Sequence, residues 1–229
     1  DFEAVREVSK HVKNSTIAGL ARASLKDIDR AWEAVQYAKS PRIHTFIATS
    51  PLHMKYKLKK TEEEVLEAIK KTVTHARNLC DNIEWSCEDG GRSELDFLYK
   101  SIELAIDCGA TTINIPDTVG YTLPEEFGKI FKNVKNNVLN IDKAILSTHT
   151  HNDLGLATAN NVSAIKEGAR QVECTINGMG ERAGNSSLEE IVMTLRVKKE
   201  LMPYHTDIKT ESIIKASRLS LIHISEPTR

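Results

Sequence analysis

Short apolar, β-rich runs alternate with helical patterns along most of this chain, and this alternation restricts its fold more than any other feature. Parallel strands need a long crossover connection, usually a helix, so strict strand and helix alternation favours a parallel sheet covered by helices. The sequence therefore predicts an α/β protein. The predicted strands are Thr16–Ala21, Ile43–Ala48, Asn82–Cys87, Thr111–Ile115, Ala144–His149 and Gln171–Ile176.

Several predicted helices begin at a hydroxyl residue that is followed three positions later by an acid. Ser24 precedes Asp27 in this way, and Thr61 precedes Glu64. This spacing is typical of a capping box, in which the hydroxyl and the acid satisfy free backbone N–H groups of the first turn. A further helix is expected over residues 1–12. The remaining predicted helix starts are Ser93, Thr122 and Ser187.

Polar side chains follow nearly every predicted strand at the point where it ends. A (β/α)₈ TIM barrel assembles its sites from such βα loops, whereas a doubly wound sheet concentrates its ligand at one switch point. The barrel fits this distribution better. Because only six of eight strands are found, we expect an incomplete barrel of about six βα units whose first strands precede residue 1.

Composition limits the partners and the compartment. The 31 basic and 32 acidic residues give a formal net charge of -1, which supplies no field to attract nucleic acid or a membrane. We therefore expect small-molecule substrates, with no nucleic acid and no membrane partner. The four cysteines lack paired spacing and no run approaches about 20 apolar residues, so we expect reduced thiols and a cytoplasmic location.

The run STHTHND at residues 147–153 carries the sharpest chemical signal. Alternate side chains of a strand share one face, so His149 and His151 are expected to project toward one point. Two imidazoles with amide and carboxylate oxygens nearby, and no thiolate, suit Mg²⁺ or Mn²⁺ better than structural zinc. The alternative is that both histidines are polar residues of the barrel rim that face water.

A glycine-rich loop at residues 178–185 follows the last predicted strand. Its glycines let the backbone approach a ligand closely, and Asn185 can offer its side-chain oxygen to a metal. Glu181 can orient a ligand histidine or a substrate group. In the simpler alternative the loop is a flexible turn and Arg182 only balances the local acids.

Other strand ends supply weaker candidates. Glu88 lies two residues after Ser86, on the same predicted strand face, and can reach the mouth of the barrel. His44 can contact a carboxylate substrate or be a hydrogen-bonded interior residue, and its position does not decide between the two. Thr118 can offer a hydroxyl to the same anion, while Asp89 is expected only to end its strand in solvent.

Five segments carry a family resemblance. HTHNDLG at 149–155 and GMGERAGNSSLEE at 178–190 are the most specific, and IHTFIATSP at 43–51, WSCED at 85–89 and TTINIPDTVGY at 111–121 accompany them. From its start to about Leu219 the chain resembles the metal-dependent acyl-CoA Claisen-condensing family. That family includes the 2-isopropylmalate, homocitrate and citramalate synthases and 3-hydroxy-3-methylglutaryl-CoA lyase. The segment IHTFIATSP favours the isopropylmalate branch.

The resemblance implies that His149, His151 and Asn185 bind a divalent ion, either Mn²⁺ or Mg²⁺. It implies that the ion binds 2-oxoisovalerate and polarises its keto carbonyl. Acetyl-CoA is then the co-substrate. A base removes a methyl proton, the enolate adds to the carbonyl, and hydrolysis of the thioester releases 2-isopropylmalate in the first step of leucine biosynthesis.

The resemblance also assigns residues to the substrates. His44, Ser86 and Thr118 are implied to bind the 2-oxo acid. Glu88 lines the same pocket, and Glu181 belongs to the shell that supports the metal ligands. These two acids are the predicted catalytic residues.

The sequence departs from the family pattern at both ends. Family members begin the barrel with an Asp-Thr-Thr-Leu-Arg-Asp-Gly strand, whose aspartate binds the metal and whose arginine stabilises developing negative charge. Neither that strand nor the later regulatory domain that senses leucine is found here. We therefore expect a fragment that is inactive alone, although its parent enzyme is active and homodimeric. Residues 1–206 are predicted to be a partial TIM-barrel domain, 207–218 the start of a linker region, and 219–229 a non-native tail.

Two alternatives stay open. A citramalate or homocitrate synthase of the same family differs in the pocket that holds the side chain of the oxo acid. A non-catalytic fragment that binds metal or a partner barrel belongs to another class, and the unpaired edges of an open sheet favour it.

Overall fold

The computed structural model describes residues 2–225, and the surroundings of side chains as far as residue 222. Within that range six strands form one parallel sheet in which each strand pairs with the next along the chain. All six predicted strands are present, so the prediction of an α/β protein with a parallel sheet is confirmed. The strands are β1 (Ile17–Arg22), β2 (Pro41–Ala48), β3 (Ile83–Glu88), β4 (Thr112–Asp117), β5 (Ile145–Thr150) and β6 (Gln171–Glu173).

Strand β6 is shorter than predicted. Its hydrogen bonding ends at Glu173, and the next residues form a 3₁₀ turn over Ile176–Gly178. The backbone N–H of Thr175 donates instead to the carbonyl of Ser186, at 3.0 Å. Pairing with the far end of the glycine-rich loop therefore takes the chain out of the sheet after Glu173.

Helices connect the strands and cover the outer face of the sheet. The predicted N-terminal helix is present, and residues 219–225 of the predicted tail lie in the last helix, while 226–229 lie outside the described residues. No helix in the described range is long and apolar enough to cross a membrane. The helices are α1 (Phe2–His11), α2 (Leu25–Val35), α3 (Pro51–His53), α4 (Glu62–Leu79), α5 (Leu95–Asp107), α6 (Pro124–Asn137), α7 (Ala157–Lys166), α8 (Leu188–Val197) and α9 (Ile213–Ser225).

The predicted capping box at Thr61 is confirmed. The Thr61 hydroxyl accepts from the backbone N–H of Glu64 at 3.3 Å, and the Glu64 carboxylate accepts from the N–H of Thr61 at 2.8 Å. The predicted starts at Ser93 and Thr122 are wrong by one residue. Both hydroxyls have tertiary partners: Ser93 bonds Thr49, and Thr122 donates to Asp117 at 2.7 Å.

The hydrophobic core lies between the sheet and the helices. Trp85 on β3 and Phe127 and Phe131 on α6 are among its largest fully buried side chains. The two phenylalanine rings meet edge to face, with centroids 5.3 Å apart. Burial of each such side chain contributes about 2 kcal/mol, so this layer holds the helices against the strands.

The opposite face of the sheet is concave and polar. Arg42 on β2 donates to Gln171 on β6, at 2.7 Å, although three other strands lie between them in the sheet order. Arg42 also pairs with Glu84 at 2.8 Å, and the Gln171 amide donates to Glu84 at 2.6 Å. Side chains from strands so far apart can meet only because the sheet curls around this interior.

Candidate metal and oxo-acid site

A second polar layer lies above the first, toward the carboxyl ends of the strands. Side chains two residues apart on a strand share one face of the sheet. On each of these strands, a residue of the first layer is therefore followed, two positions later, by a residue of the second layer. The predicted site residues His44, Ser86 and His149 therefore share one interior layer. The pairs that step from one layer to the next are Arg42 and His44, Glu84 and Ser86, Ser147 and His149, and Gln171 and Glu173.

The structure brings His44 and Ser86 together. Nε2 of His44 lies 2.6 Å from Oγ of Ser86, across neighbouring strands β2 and β3. Asn114, buried on β4, donates to the same Oγ at 3.0 Å. A hydroxyl and an imidazole so placed at the open end of the interior are suited to bind a small carboxylate or carbonyl group.

His149 and His151 converge as predicted. Their Nε2 atoms are 2.9 Å apart, and their rings are nearly perpendicular, at 71°. Two ligands at right angles, each about 2.1 Å from one ion, are about 3.0 Å apart, so this separation fits shared coordination. Burial lowers the pKa of His151, and the neighbouring His149 lowers it further. This keeps the imidazole in the neutral form that binds metals.

Asn185 is brought beside these histidines. It forms an isolated antiparallel bridge with His151, and the N–H of Asn152 donates to the carbonyl of Gly184 at 2.8 Å. A Cβ at Gly180 would lie 2.3 Å from Oδ1 of Asn185. Any larger residue at position 180 would therefore displace the Asn185 amide from this position.

Three buried polar atoms of this cluster have no hydrogen-bond partner among the described residues. They are Oδ1 of Asn185 and the Nδ1 atoms of His149 and His151. Such groups cost about 1–3 kcal/mol each, so in a native protein they usually have a bound water, ion or ligand as partner. The free Oδ1 of Asn185, together with the two converging Nε2 atoms, fits a divalent cation.

Glu173 is a site residue that the sequence reasoning missed. Its Oε2 lies 3.0 Å from Nδ1 of His149, its Oε1 lies 3.6 Å from Nδ1 of His44, and Asn114 donates to it at 3.3 Å. Burial alone raises the pKa of Glu173, but the close contact with His149 and the charge of His44 outweigh it and hold the pKa below its usual value. The available signal was an acid at an inward position of β6, in register with His149.

A second group of potential ligands lies deeper in the interior. His44, Glu84 and Glu173 each offer one ligand atom, and these three atoms lie within 4.8 Å of one another. Burial raises the pKa of Glu84, yet its two oxygens are already held by Arg42 and Gln171. The guanidinium of Arg42 supplies the positive charge that this group needs, so we assign no ion to it.

The other predicted site residues lie outside the histidine layer. Glu88 is paired with Lys57, and its Oε1 is 3.3 Å from Nδ1 of His53. The Thr118 hydroxyl accepts from the backbone N–H of Asp89 at 2.9 Å. Glu181 is 79% exposed and lies near Arg182. The roles predicted for these three residues stay predictions.

Arg182 joins three of the loops. Its guanidinium makes a two-point contact with Asp153, at 2.7 and 2.9 Å, and also donates to the carbonyl of Thr118 at 2.9 Å. Arg182 thus does pair with a local acid. Since Asp153 belongs to the HTHND segment and Arg182 to the GER segment, the contact fixes the two signature motifs to each other.

Comparison with known proteins identifies the family of this chain. The HMGL-like family matches residues 1–219. The chain belongs to the HMGL-like family. A 2-isopropylmalate synthase from Aquifex aeolicus is 60% identical over 220 residues, which are 96% of this chain and 42% of that protein. One from Rhodopseudomonas palustris is 55% identical over 229 residues, which are 100% of this chain and 44% of that protein. The chain thus spans less than half the length of these curated relatives.

Solved structures support the fold. The hydroxymethylglutaryl-CoA lyase from Pseudomonas aeruginosa superimposes with a TM-score of 0.77 at 18% identity, covering 97% of this chain and 75% of that chain. The HMG-CoA lyase from Brucella melitensis gives a TM-score of 0.74 at 18% identity, covering 97% of this chain and 80% of that chain. With six consecutive parallel strands curled around a polar interior, the predicted incomplete TIM barrel is confirmed.

Proposed function

We propose that this chain forms the metal-binding and 2-oxo acid-binding part of a 2-isopropylmalate synthase. The observation that carries the proposal is the 2.9 Å approach of the Nε2 atoms of His149 and His151, with Asn185 bridged to His151 through the backbone, in the interior that also holds His44 and Ser86. The name shared by relatives at 55–60% identity supports the choice of reaction. The turnover is proposed for a polypeptide that carries this chain within the length of those relatives.

In this proposal each side chain of the layer has one task. His149, His151 and Asn185 hold a Mn²⁺ or Mg²⁺ ion, which when bound supplies Lewis-acid polarisation of the keto group. His44 and Ser86 bind the carboxylate end of 2-oxoisovalerate, and the hydroxyl of Thr118 approaches it from the next loop.

The carbon–carbon bond forms between the methyl carbon of acetyl-CoA and the keto carbon of the oxo acid. The methyl C–H bond breaks, its proton passes to a carboxylate, and the electron pair forms the new carbon–carbon bond. The π electrons of the keto group move to its oxygen, which takes a proton from the protonated carboxylate or from water to become a hydroxyl. Water then cleaves the thioester and free CoA leaves. We propose Glu88 as the proton-accepting carboxylate because Lys57 and His53 hold it at the rim. Glu181 supports the metal loop from the surface.

Calorimetric titration of the folded chain with Mn²⁺, with and without 2-oxoisovalerate, tests the binding part of the proposal. We expect Mn²⁺ to bind, and the oxo acid to bind more tightly in its presence. His149→Ala removes this binding, whereas His75→Ala, which alters a histidine of α4 paired with Asp29, leaves it unchanged. Failure of wild-type chain to bind Mn²⁺ would contradict the proposal.

Release of CoA thiol from acetyl-CoA by the longer polypeptide tests the reaction. We expect turnover to be fastest with 2-oxoisovalerate among 2-oxoisovalerate, pyruvate and 2-oxoglutarate. Preference for pyruvate indicates a citramalate synthase, and preference for 2-oxoglutarate indicates a homocitrate synthase. Metal binding without any release of CoA supports a binding function only.

We also propose a cytoplasmic location and a homodimeric longer protein. All four cysteines, which lie in the described part of the chain, are free thiols. Reduced cysteines are usual in the cytosol. Fractionation of cells and size-exclusion chromatography of the longer protein test the two points.

A further inference from the structure

We propose that Glu173 fixes the tautomers of two imidazoles at once, so that His149 presents an unprotonated Nε2 to the metal and His44 presents an unprotonated Nε2 to Ser86. The inference rests on the proposed function for the identity of the ligands, and it assigns Glu173 as a positioning residue. One carboxylate would then prepare both halves of the site, the metal ligands and the oxo-acid pocket.

The two oxygens of Glu173 face different histidines. Oε2 lies 3.0 Å from Nδ1 of His149 and Oε1 lies 3.6 Å from Nδ1 of His44, so the carboxylate faces the Nδ1 side of both rings at ion-pair distance, without an aligned hydrogen bond to either. A neutral imidazole carries one N–H, and its tautomer follows the acceptor that its other neighbours offer. A carboxylate beside Nδ1 places the proton there and leaves the lone pair on Nε2.

The far side of each ring agrees with this assignment. Nε2 of His149 points at Nε2 of His151, and Nε2 of His44 points at the hydroxyl of Ser86, which can donate to it. Asn114 supports the arrangement because its amide donates to both Ser86 and Glu173. Glu173 therefore lies at the centre of the layer and faces the Nδ1 atom of each ring. The Nε2 atoms, on the opposite sides of the two rings, face the metal position and the oxo-acid position.

The register of β5 and β6 places Glu173 directly beside His149. Glu173 is paired with His149 across β5 and β6, so the carboxylate is delivered by backbone hydrogen bonds and not by a mobile loop. Partners that orient a metal-binding histidine typically contribute 10-fold to 100-fold to metal affinity. Glu173 is expected to have an effect of this size on Mn²⁺ binding.

Two-bond proton–nitrogen correlation spectra of the ¹⁵N-labelled chain at pH 8 measure the tautomers without any metal. We expect His149 and His44, identified by single His→Gln variants, to be protonated at Nδ1. Glu173→Ala releases both rings from this tautomer. Glu173→Gln has a single carbonyl oxygen to accept with, so it retains Nδ1 protonation at no more than one of them.

Glu84→Gln is the matched control, because Glu84 lies in the layer below, is also buried, and pairs with Arg42. We expect it to leave the tautomer of His149, which lies outside that deeper group, unchanged. In Mn²⁺ titrations, Glu173→Ala weakens binding at least 10-fold, and Glu84→Gln changes it by less than about threefold. Circular dichroism and the urea midpoint confirm that each variant is folded.

Three results overturn the inference: a wild-type His149 protonated at Nε2, tautomers that do not change in Glu173→Ala, or equal losses of Mn²⁺ affinity in Glu173→Ala and Glu84→Gln. The last of these points to an ion held by the deeper group of His44, Glu84 and Glu173. If wild-type chain binds no Mn²⁺, the proposed metal function fails, and the spectra still decide the role of Glu173.

Discussion

Two buried polar clusters lie at the carboxyl edge of the sheet, and they differ in how well their atoms are satisfied. Asp89 is 1% exposed, and its carboxylate accepts from the Arg92 guanidinium, at 2.8 to 3.1 Å, and from the Ser50 hydroxyl. In the other cluster, Oδ1 of Asn185 and Nδ1 of His151 have no partner among the described residues. The Asp89 carboxylate is satisfied by donors of the protein itself, whereas the second cluster leaves Oδ1 of Asn185 free for a ligand.

The Asp89 cluster also corrects an expectation. A residue expected to end its strand in solvent is instead buried, in a left-handed conformation with φ of 62°. Arg92, three residues later, folds back to pair with it. The turn and the pairing with Arg92 therefore explain the burial of Asp89 without a ligand.

The largest expected effect is on stability at the satisfied cluster. Asp89→Ala leaves the Arg92 guanidinium and the Ser50 hydroxyl without their shared acceptor, so we expect unfolding free energy to fall by about 3 kcal/mol in urea titrations. Asp142→Ala, at an exposed acid, changes it by less than about 0.5 kcal/mol. If the two variants unfolded at the same urea concentration, the Asp89 cluster would contribute no more to stability than an exposed acid does.

Asn185→Ala is expected to change stability little and to weaken Mn²⁺ binding. Its side-chain oxygen has no partner to lose, and its backbone N–H keeps its bond to the carbonyl of Gly178, so stability changes by less than about 1 kcal/mol. Mn²⁺ affinity falls about 10-fold, equivalent to about 1.4 kcal/mol. A large loss of stability with unchanged Mn²⁺ affinity would show that this cluster, too, is structural.

Arg182 tests whether the loops between the clusters are held by charge. Arg182→Gln removes the two-point contact with Asp153, and because this pair is partly exposed we expect a loss of about 0.5–1 kcal/mol. A double-mutant cycle with Asp153→Asn, repeated at high salt, measures the pair directly. A coupling that is unaffected by salt would contradict an electrostatic clamp.

The smallest effect is expected at the base of the glycine-rich loop. Burial raises the pKa of Glu189, but hydrogen bonds from Ser187 and from the N–H of Asn177 outweigh it and lower the pKa below the usual 4.5. A lowered folded-state pKa stabilises the protein above about pH 4.5, and this contribution disappears as pH falls through the folded value. Glu189→Gln should therefore be less stable than wild type by about 0.5 kcal/mol at pH 7, with the difference vanishing in acid unfolding curves.

The strands were predictable because their residues carry a local signal. Apolar β-rich runs between capped helices identify β1 to β5 within two residues, and Gly109 and Gly168, with φ of 112° and 128°, follow the ends of α5 and α7. The early end of β6 was not predictable, since it depends on pairing between Thr175 and Ser187. Ser93 was misplaced for the same reason: its hydroxyl has a tertiary partner.

The site was predictable only where residues lie in a motif. His149, His151 and Asn185 are near one another in the structure because they follow neighbouring strands, and their types suggest a metal. Glu173 carries no motif, and its importance appears only when the register places it beside His149. The exposed position of Glu181 was also not visible in the sequence, because it depends on how Arg182 folds toward Asp153.

The consecutive strand order has a consequence for how the chain acquires its structure. Each unit of the sheet touches the unit synthesised just before it, so assembly is a nearest-neighbour process in which the entropy lost by closing each loop is small. The backbone pairing of each strand needs only its neighbours, so a nascent chain can add units in the order in which they leave the ribosome, and the interior contact of Arg42 with Gln171 forms last, when β6 arrives. Amide exchange should then be slowest in the middle units and faster toward both ends of the array.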